Sequence, residues 1–153
     1  GVLSIKPDGT DRTTIEKSGP SSACPDSTPE ASLIAYSDVS GDPSSVKTAN
    51  PDGSERTQVI ERSVSDLAWS PDGSRIVLGA TDDRIYVVNK DGTDVTQVTD
   101  PSESSAEDED PVWSPDGSTI AFVRTVDETS TIYTINPDGS NLTELSEGKQ
   151  PDW

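Results

Sequence analysis

The densest group of chemistry-bearing side chains is Glu107-Asp108-Glu109-Asp110, with Asp100 and Glu103 shortly before it. Carboxylates at this density suit Ca²⁺, which takes six to eight oxygen ligands. The spacing matches neither an EF-hand loop nor a nonapeptide calcium repeat, and runs of like charge are usually solvated faces. Calcium on these four residues is the one cofactor expectation, and the run reads as a loop before a strand. Two more acidic pairs, Asp82-Asp83 and Asp127-Glu128, supply the carboxylates that a glycosidase would need as acid and base. Cys24 is the one thiol, and histidine is absent. With no imidazole, neither a Ser-His-Asp nor a Cys-His nucleophile can be assembled, and zinc sites of the Cys/His kind lack ligands. A thiolate at Cys24 would need a cationic neighbour or a helix N-terminus. No catalytic residue is expected.

Composition restricts partners as well. Asp and Glu outnumber Lys and Arg by 29 to 11, for a formal charge of −18. That charge opposes nucleic-acid phosphate and anionic lipid. It suits a solvated surface, a salty or extracellular setting, or a cationic partner. Apolar residues make up 29% and aromatics 5% of 153 residues, too few for a thick core, while 12 Pro and 11 Gly supply turns for short strands. No apolar run approaches the ~18 residues that span a bilayer, and no basic-then-apolar leader opens the chain. The start at Gly1 suggests a processed product or a fragment.

The elements that must position these residues are legible as a repeat. Trp69-Ser70-Pro71-Asp72-Gly73-Ser74 recurs as Trp113-Ser114-Pro115-Asp116-Gly117-Ser118, 44 residues later, and Pro151-Asp152-Trp153 opens another copy. A second signature interleaves: Ile85-Tyr86-Val87-Val88-Asn89-Lys90-Asp91-Gly92-Thr93 matches Ile132 to Ser140, which carries Asp138-Gly139. Weaker copies run from Val46, with Asp52-Gly53, and from Val2, with Pro7-Asp8-Gly9. A Thr follows each of these glycines by four residues, at Thr13, Thr57, Thr96 and Thr143.

Runs such as Ile76-Val77-Leu78 and Ile120-Ala121-Phe122-Val123 are too short and too β-branched for helices, and Pro-Asp-Gly between such runs is a hairpin signal. Each period therefore predicts a four-stranded antiparallel meander, the blade of an all-β propeller. About three and a half blades are expected: a half blade at 2–16, blades at 21–61, 65–100 and 110–146, and the first strand of another at 149–153. Trp69, Trp113 and Trp153 are expected to pack between blades as core. Asp8, Asp26, Asp52, Asp72, Asp91, Asp116 and Asp138 repeat regularly, so they read as turn residues bonding backbone. The first complete blade departs from the pattern, reading Ala23-Cys24-Pro25-Asp26-Ser27-Thr28 and then an inserted Pro29-Glu30-Ala31.

The phrase Trp113 to Phe122, followed by Ile132 to Gly139, resembles the repeat of TolB-type β-propellers over nearly the whole chain. The resemblance implies a binding or gating module. Members include a periplasmic protein that docks other envelope proteins, and propellers that gate the catalytic domain of prolyl-oligopeptidase-like enzymes. It brings no catalytic residue onto this chain, since fold does not fix function. Rings of this type usually close with six or more blades, more than the strands present here supply.

The expectation is therefore a non-catalytic scaffold for protein–protein interaction or self-assembly, periplasmic or extracellular, that forms homo-oligomers through its terminal blades. It would bind neither nucleic acid nor a membrane interior. The alternatives are the gating or substrate-binding part of a larger hydrolase or lyase, and an engineered or excised propeller fragment without activity of its own.

Overall fold

A computed structural model describes residues 2–4, 10, 12–16, 25–100, 106–149 and 151. All described regular elements are strands. β1 (Val2–Ser4) and β2 (Thr13–Glu16) form a two-stranded half blade. The first blade holds β3 (Asp26–Ser27), β4 (Ile34–Asp38), β5 (Ser45–Ala49) and β6 (Thr57–Glu61). The second holds β7 (Val64–Trp69), β8 (Arg75–Ala80), β9 (Arg84–Asn89) and β10 (Thr96–Gln97). The third holds β11 (Glu107–Trp113), β12 (Ile120–Val126), β13 (Thr129–Ile135) and β14 (Thr143–Glu147). In each blade the strands pair antiparallel in chain order, and the recurring Thr four residues after the turn glycine opens every fourth strand. The turns of Pro7-Asp8-Gly9, together with Cys24 and Trp153, lie outside the described residues.

Two local expectations are corrected. The first blade has no inserted Pro29-Glu30-Ala31, because that segment is its first hairpin turn. Ser70 N–H donates to Arg75 O at 2.9 Å and Gly73 N–H to Ser70 O at 2.8 Å. Thr28 N–H and Ala31 N–H make the same bonds, to Leu33 O at 3.0 Å and Thr28 O at 2.7 Å. Ala31 takes the left-handed conformation, φ 51°, that Gly73 holds at 65°. Pro25-Asp26-Ser27 is instead led into strand β3, where Ser27 pairs with Ile34 as Trp69 pairs with Ile76 and Trp113 with Ile120. Ser27, not Ala23, stands at the tryptophan position. The second correction concerns Glu107 to Asp110, which is strand rather than loop, pairing Glu107, Asp108 and Glu109 with Thr125, Arg124 and Val123. The third blade thus opens three residues earlier than its repeat pattern suggests.

The apolar side chains meet between blades rather than within one. Val46 and Val59 of the first blade share a buried cluster with Trp69, Ile76 and Tyr86 of the second. Val77, Ile85 and Val98 of the second share another with Trp113, Ile120 and Phe122 of the third. Val2 and Ile15 of the half blade meet Tyr36 and Ala49 of the first blade. The alternation of side chains along each strand gives each sheet two apolar faces, one for each neighbour.

The turn between third and fourth strands sets the spacing of these layers. Gly92, at φ 85°, lies so close to the preceding blade that a Cβ there would stand 2.3 Å from Val59 O. Gly139 rests on Val98 O in the same way, at 3.0 Å, and Gly53 on Thr14 O and Ile15 at 3.7 Å. Left-handed backbone costs an L-residue about 1–2 kcal/mol, and forcing a methyl into a packed seam about 1–3 kcal/mol more. Gly92→Ala should therefore lose roughly 3 kcal/mol in chemical denaturation. Ala31→Gly relieves a positive φ without touching a seam and should gain about 0.5–1 kcal/mol. An unchanged midpoint for Gly92→Ala would contradict the seam geometry.

Candidate functional site

The carboxylates divide into three groups by what holds them. The turn aspartates are bound within their own turns. Asp72 Oδ1 accepts Ser74 N–H at 3.0 Å and the hydroxyls of Ser74 at 2.8 Å and Ser70 at 2.6 Å. Asp116 repeats this with Ser118 and Ser114. Asp52, Asp91 and Asp138 accept the backbone N–H and hydroxyl of Ser54, Thr93 and Ser140. Donors aimed at a carboxylate favour its charged form. The Ser70 and Ser74 hydroxyls hold Asp72 down to about 2, and the Ser118 backbone N–H, with both serine hydroxyls, does the same for Asp116. Asp26 is not a turn residue. From β3 its carboxylate accepts Trp69 N–H at 2.7 Å, tying the first blade to the second.

The second group consists of ion pairs on the strands and hairpins. Asp108 is fully buried and bidentate to Arg124, at 2.7 and 2.8 Å. The guanidinium lies over the rings of Phe122 and Tyr133. Asp82 pairs with Arg62 at 3.0 Å and accepts the Tyr86 hydroxyl at 2.9 Å, while Arg62 covers the Tyr86 ring at 3.9 Å. Asp38 binds Lys47 and Ser40, and these bonds lower it to about 2. Asp82-Asp83 and Asp127-Glu128 do occupy the same hairpin of adjacent blades, between second and third strands. Asp83, Asp127 and Glu128 all have positive φ there, so these acids serve the hairpin backbone.

The four acids proposed for calcium do not converge. Strand pairing commits Asp108 to Arg124, leaves Glu107 exposed, and carries Asp110 to the neighbouring blade. Among the described residues no group of three or more His, Cys, Asp or Glu is placed to hold a metal ion.

The third group is one that sequence reasoning missed. Asp66 on β7 and Asp110 on β11 stand 44 residues apart, the same interval as Trp69 and Trp113. Asp110 sits at a bulge, φ 51°, with the Asp66 carboxyl in hydrogen-bonding reach. They flank a cleft of about 450 Å³ between the two first strands, shared with Leu67, Pro111 and Pro151. Desolvation first, then the Asp66 charge, pushes the Asp110 carboxyl above the usual range. Glu109 beside it is raised by desolvation and by Asp110. The Asp66 carboxylate thus sets like charge against Asp110 across a seam, which disfavours the ionised form of Asp110. The signal was the interval itself.

A larger groove of about 650 Å³ opens between the turns of the second and third blades. Its polar groups are already engaged. Asn89 Nδ2 donates to Thr93 Oγ1 and Asp94 Oδ2, Asn136 Nδ2 to Ser140 Oγ, and Arg75 lies over the Trp113 ring at 4.7 Å. Trp69 and Trp113 are themselves buried core.

The sequence matches the TolB beta propeller domain over residues 3–152. The chain belongs to that family. Among solved structures it is similar to TolB from Acinetobacter baumannii, with a TM-score of 0.73 at 20% identity, covering 92% of this chain and 36% of that one. A protein assigned as TolB from Agrobacterium tumefaciens gives a TM-score of 0.70 at 21% identity, with coverages of 88% and 53%. An oligogalacturonate lyase from Vibrio parahaemolyticus gives a TM-score of 0.70 at 13% identity, with coverages of 95% and 47%. At such identities the likeness is one of fold. The TolB-type chain therefore spans about half or less of the length of these structures, and no curated protein matches its sequence.

Two measurements follow from the carboxylates. Asp110 is raised when folded, so its contribution to stability is present in acid and lost as pH rises through its folded pKa. Asp110→Asn should therefore melt higher than the parent at pH 7, with the gap closing toward pH 3, and a constant gap would contradict a raised Asp110 carboxyl. Arg124→Met strands a buried carboxylate and should cost about 3–5 kcal/mol. Pairing it with Asp108→Leu should recover most of that loss in a double-mutant cycle.

Proposed function

We propose that this TolB-type propeller chain is a non-catalytic scaffold that acts by binding protein, further copies of itself included. The observation that carries this reading is strand β14, exposed along its whole length and presenting Leu145, with Leu142 exposed just before it. Large apolar side chains grouped on an open sheet face invite a protein partner. Among the described carboxylates, those of the turns, the ion pairs and the blade seam are already engaged by their own neighbours. The acidic surface and the family resemblance support a periplasmic or extracellular setting.

The lyase likeness favours a second reading, in which the chain is the propeller part of a larger hydrolase or lyase. That likeness is of fold at 13% identity, and 153 residues without histidine supply no imidazole base. The binding reading is preferred on those grounds.

Sedimentation velocity across a concentration series is the test. The scaffold reading expects reversible association, with mass rising with concentration. A compact monomer throughout would overturn the self-binding part, and turnover of an acidic oligosaccharide by the purified chain would overturn the non-catalytic part.

A further inference from the structure

Among the described residues three arginines lie over aromatic rings, and two of them are complete pairs. Arg62 covers Tyr86 and pairs with Asp82, while Arg124 lies over Phe122 and Tyr133 and is bidentate to Asp108. A guanidinium stacked by its face keeps its N–H fork at the edge, and that fork fits a carboxylate. Arg75 is the third. It lies over Trp113 of the following blade at 4.7 Å, yet its guanidinium makes no hydrogen bond or ion pair among the described residues. Asp72, on the same hairpin, feels its charge, but Ser70 and Ser74 hold the oxygens of that carboxylate.

The repeat shows that a cation is not needed to cover the ring. Ser70 N–H donates to Arg75 O, Thr28 N–H to Leu33 O and Ser114 N–H to Thr119 O, so Leu33, Arg75 and Thr119 stand at one position in the three blades. Leu33 packs on the cluster that holds Trp69, and covers by an aliphatic chain what Arg75 covers by a cation. The clefts beside them differ as well. The one lined by Leu33 and Lys90 is about 260 Å³, and the one lined by Arg75 about 650 Å³. Each lies between two complete blades, so the difference comes from the residues.

The larger groove also carries acids. Asp94 accepts Asn89 Nδ2 through Oδ2, and Asp138 accepts Ser140 through Oδ1. The other oxygen of each has no hydrogen-bond partner among the described residues, so both carboxylates are engaged without being saturated.

We propose that this groove binds a short segment of a partner protein in which an acidic residue stands beside basic ones, the acid taken by the Arg75 fork and the bases by Asp94 and Asp138. The inference rests on the protein-binding reading and gives it a surface distinct from the β14 face. A groove of this volume holds a ligand of a few residues. Charges of both signs in its lining select a ligand that carries both, and a chain of −18 repels polyanions while drawing basic segments toward it. Val87 and Pro137 add apolar contact.

The test titrates the ¹⁵N-labelled chain with three blocked pentapeptides. One has a central glutamate between two lysines, one has glutamine for the glutamate, and one has glutamine for both lysines. The first should shift the Trp113 indole N–H resonance and leave that of Trp69, one junction away, unmoved. The other two should bind about tenfold more weakly. Arg75→Leu should melt as the parent does, since Leu33 fills the same position, and should lose the preference for glutamate. Asp94→Asn, at an exposed site, should weaken the first peptide and leave the lysine-free one unchanged. Equal response to all three peptides, or an undiminished preference in Arg75→Leu, would overturn the site. A silent Trp113 in a chain that self-associates in sedimentation would overturn this groove and keep the binding reading, and a silent Trp113 in a monomer would overturn both.

Discussion

Nothing in this fold is covered until one blade rests on the next, and the closeness of that contact is set by a backbone that carries no side chain. At Gly92 the following blade's turn lies directly on the carbonyl of Val59, and at Gly139 the same turn lies on Val98. A four-stranded sheet of this size has two apolar faces and cannot bury either alone. The glycine lets the neighbouring layers approach until Tyr86 and Trp69 close over Val59, and Phe122 and Trp113 over Val98. A chain with 29% apolar residues can afford this arrangement because each thin layer needs only a handful of side chains.

The polar chemistry follows from the same stacking. The turns must be rigid to act as spacers, and the Asp two residues before each Ser or Thr makes them so, accepting both the backbone N–H and the hydroxyl. Part of the acidity that looks like a reservoir of ligands is therefore turn structure. Where acids leave the turns they meet the seams. Asp26 reaches across to Trp69 N–H, and Asp66 meets Asp110 between first strands. These contacts link blades and bring no reacting group with them.

How far the sequence could be read is decided by which signals repeat. Trp69 and Trp113, the Pro-Asp-Gly turns and the Thr opening each fourth strand recur in one frame, so the blades, the strand order and the buried tryptophans were legible. The first blade was misread because Pro25-Asp26 imitates the motif. The true turn, Thr28-Pro29-Glu30-Ala31-Ser32, keeps the hydrogen bonds of Ser-Pro-Asp-Gly-Ser while replacing the residue that advertises it. Composition in Glu107 to Asp110 pointed to a loop, but pairing outweighs composition when Arg124 stands opposite Asp108. That partner was visible only as a charged residue inside the apolar run Ile120 to Val126. Asp66 and Asp110 were hidden for another reason: their meaning lies in the distance between two periods, not in either local stretch.

The junctions show what a repeat implies about stability. Interior blades are interchangeable at their junctions, because Ile15, Val59 and Val98 occupy one position and are covered in one way. Stacking is thus the source of the fold's stability: each layer is closed only by the next, and the spacing glycine decides how tightly.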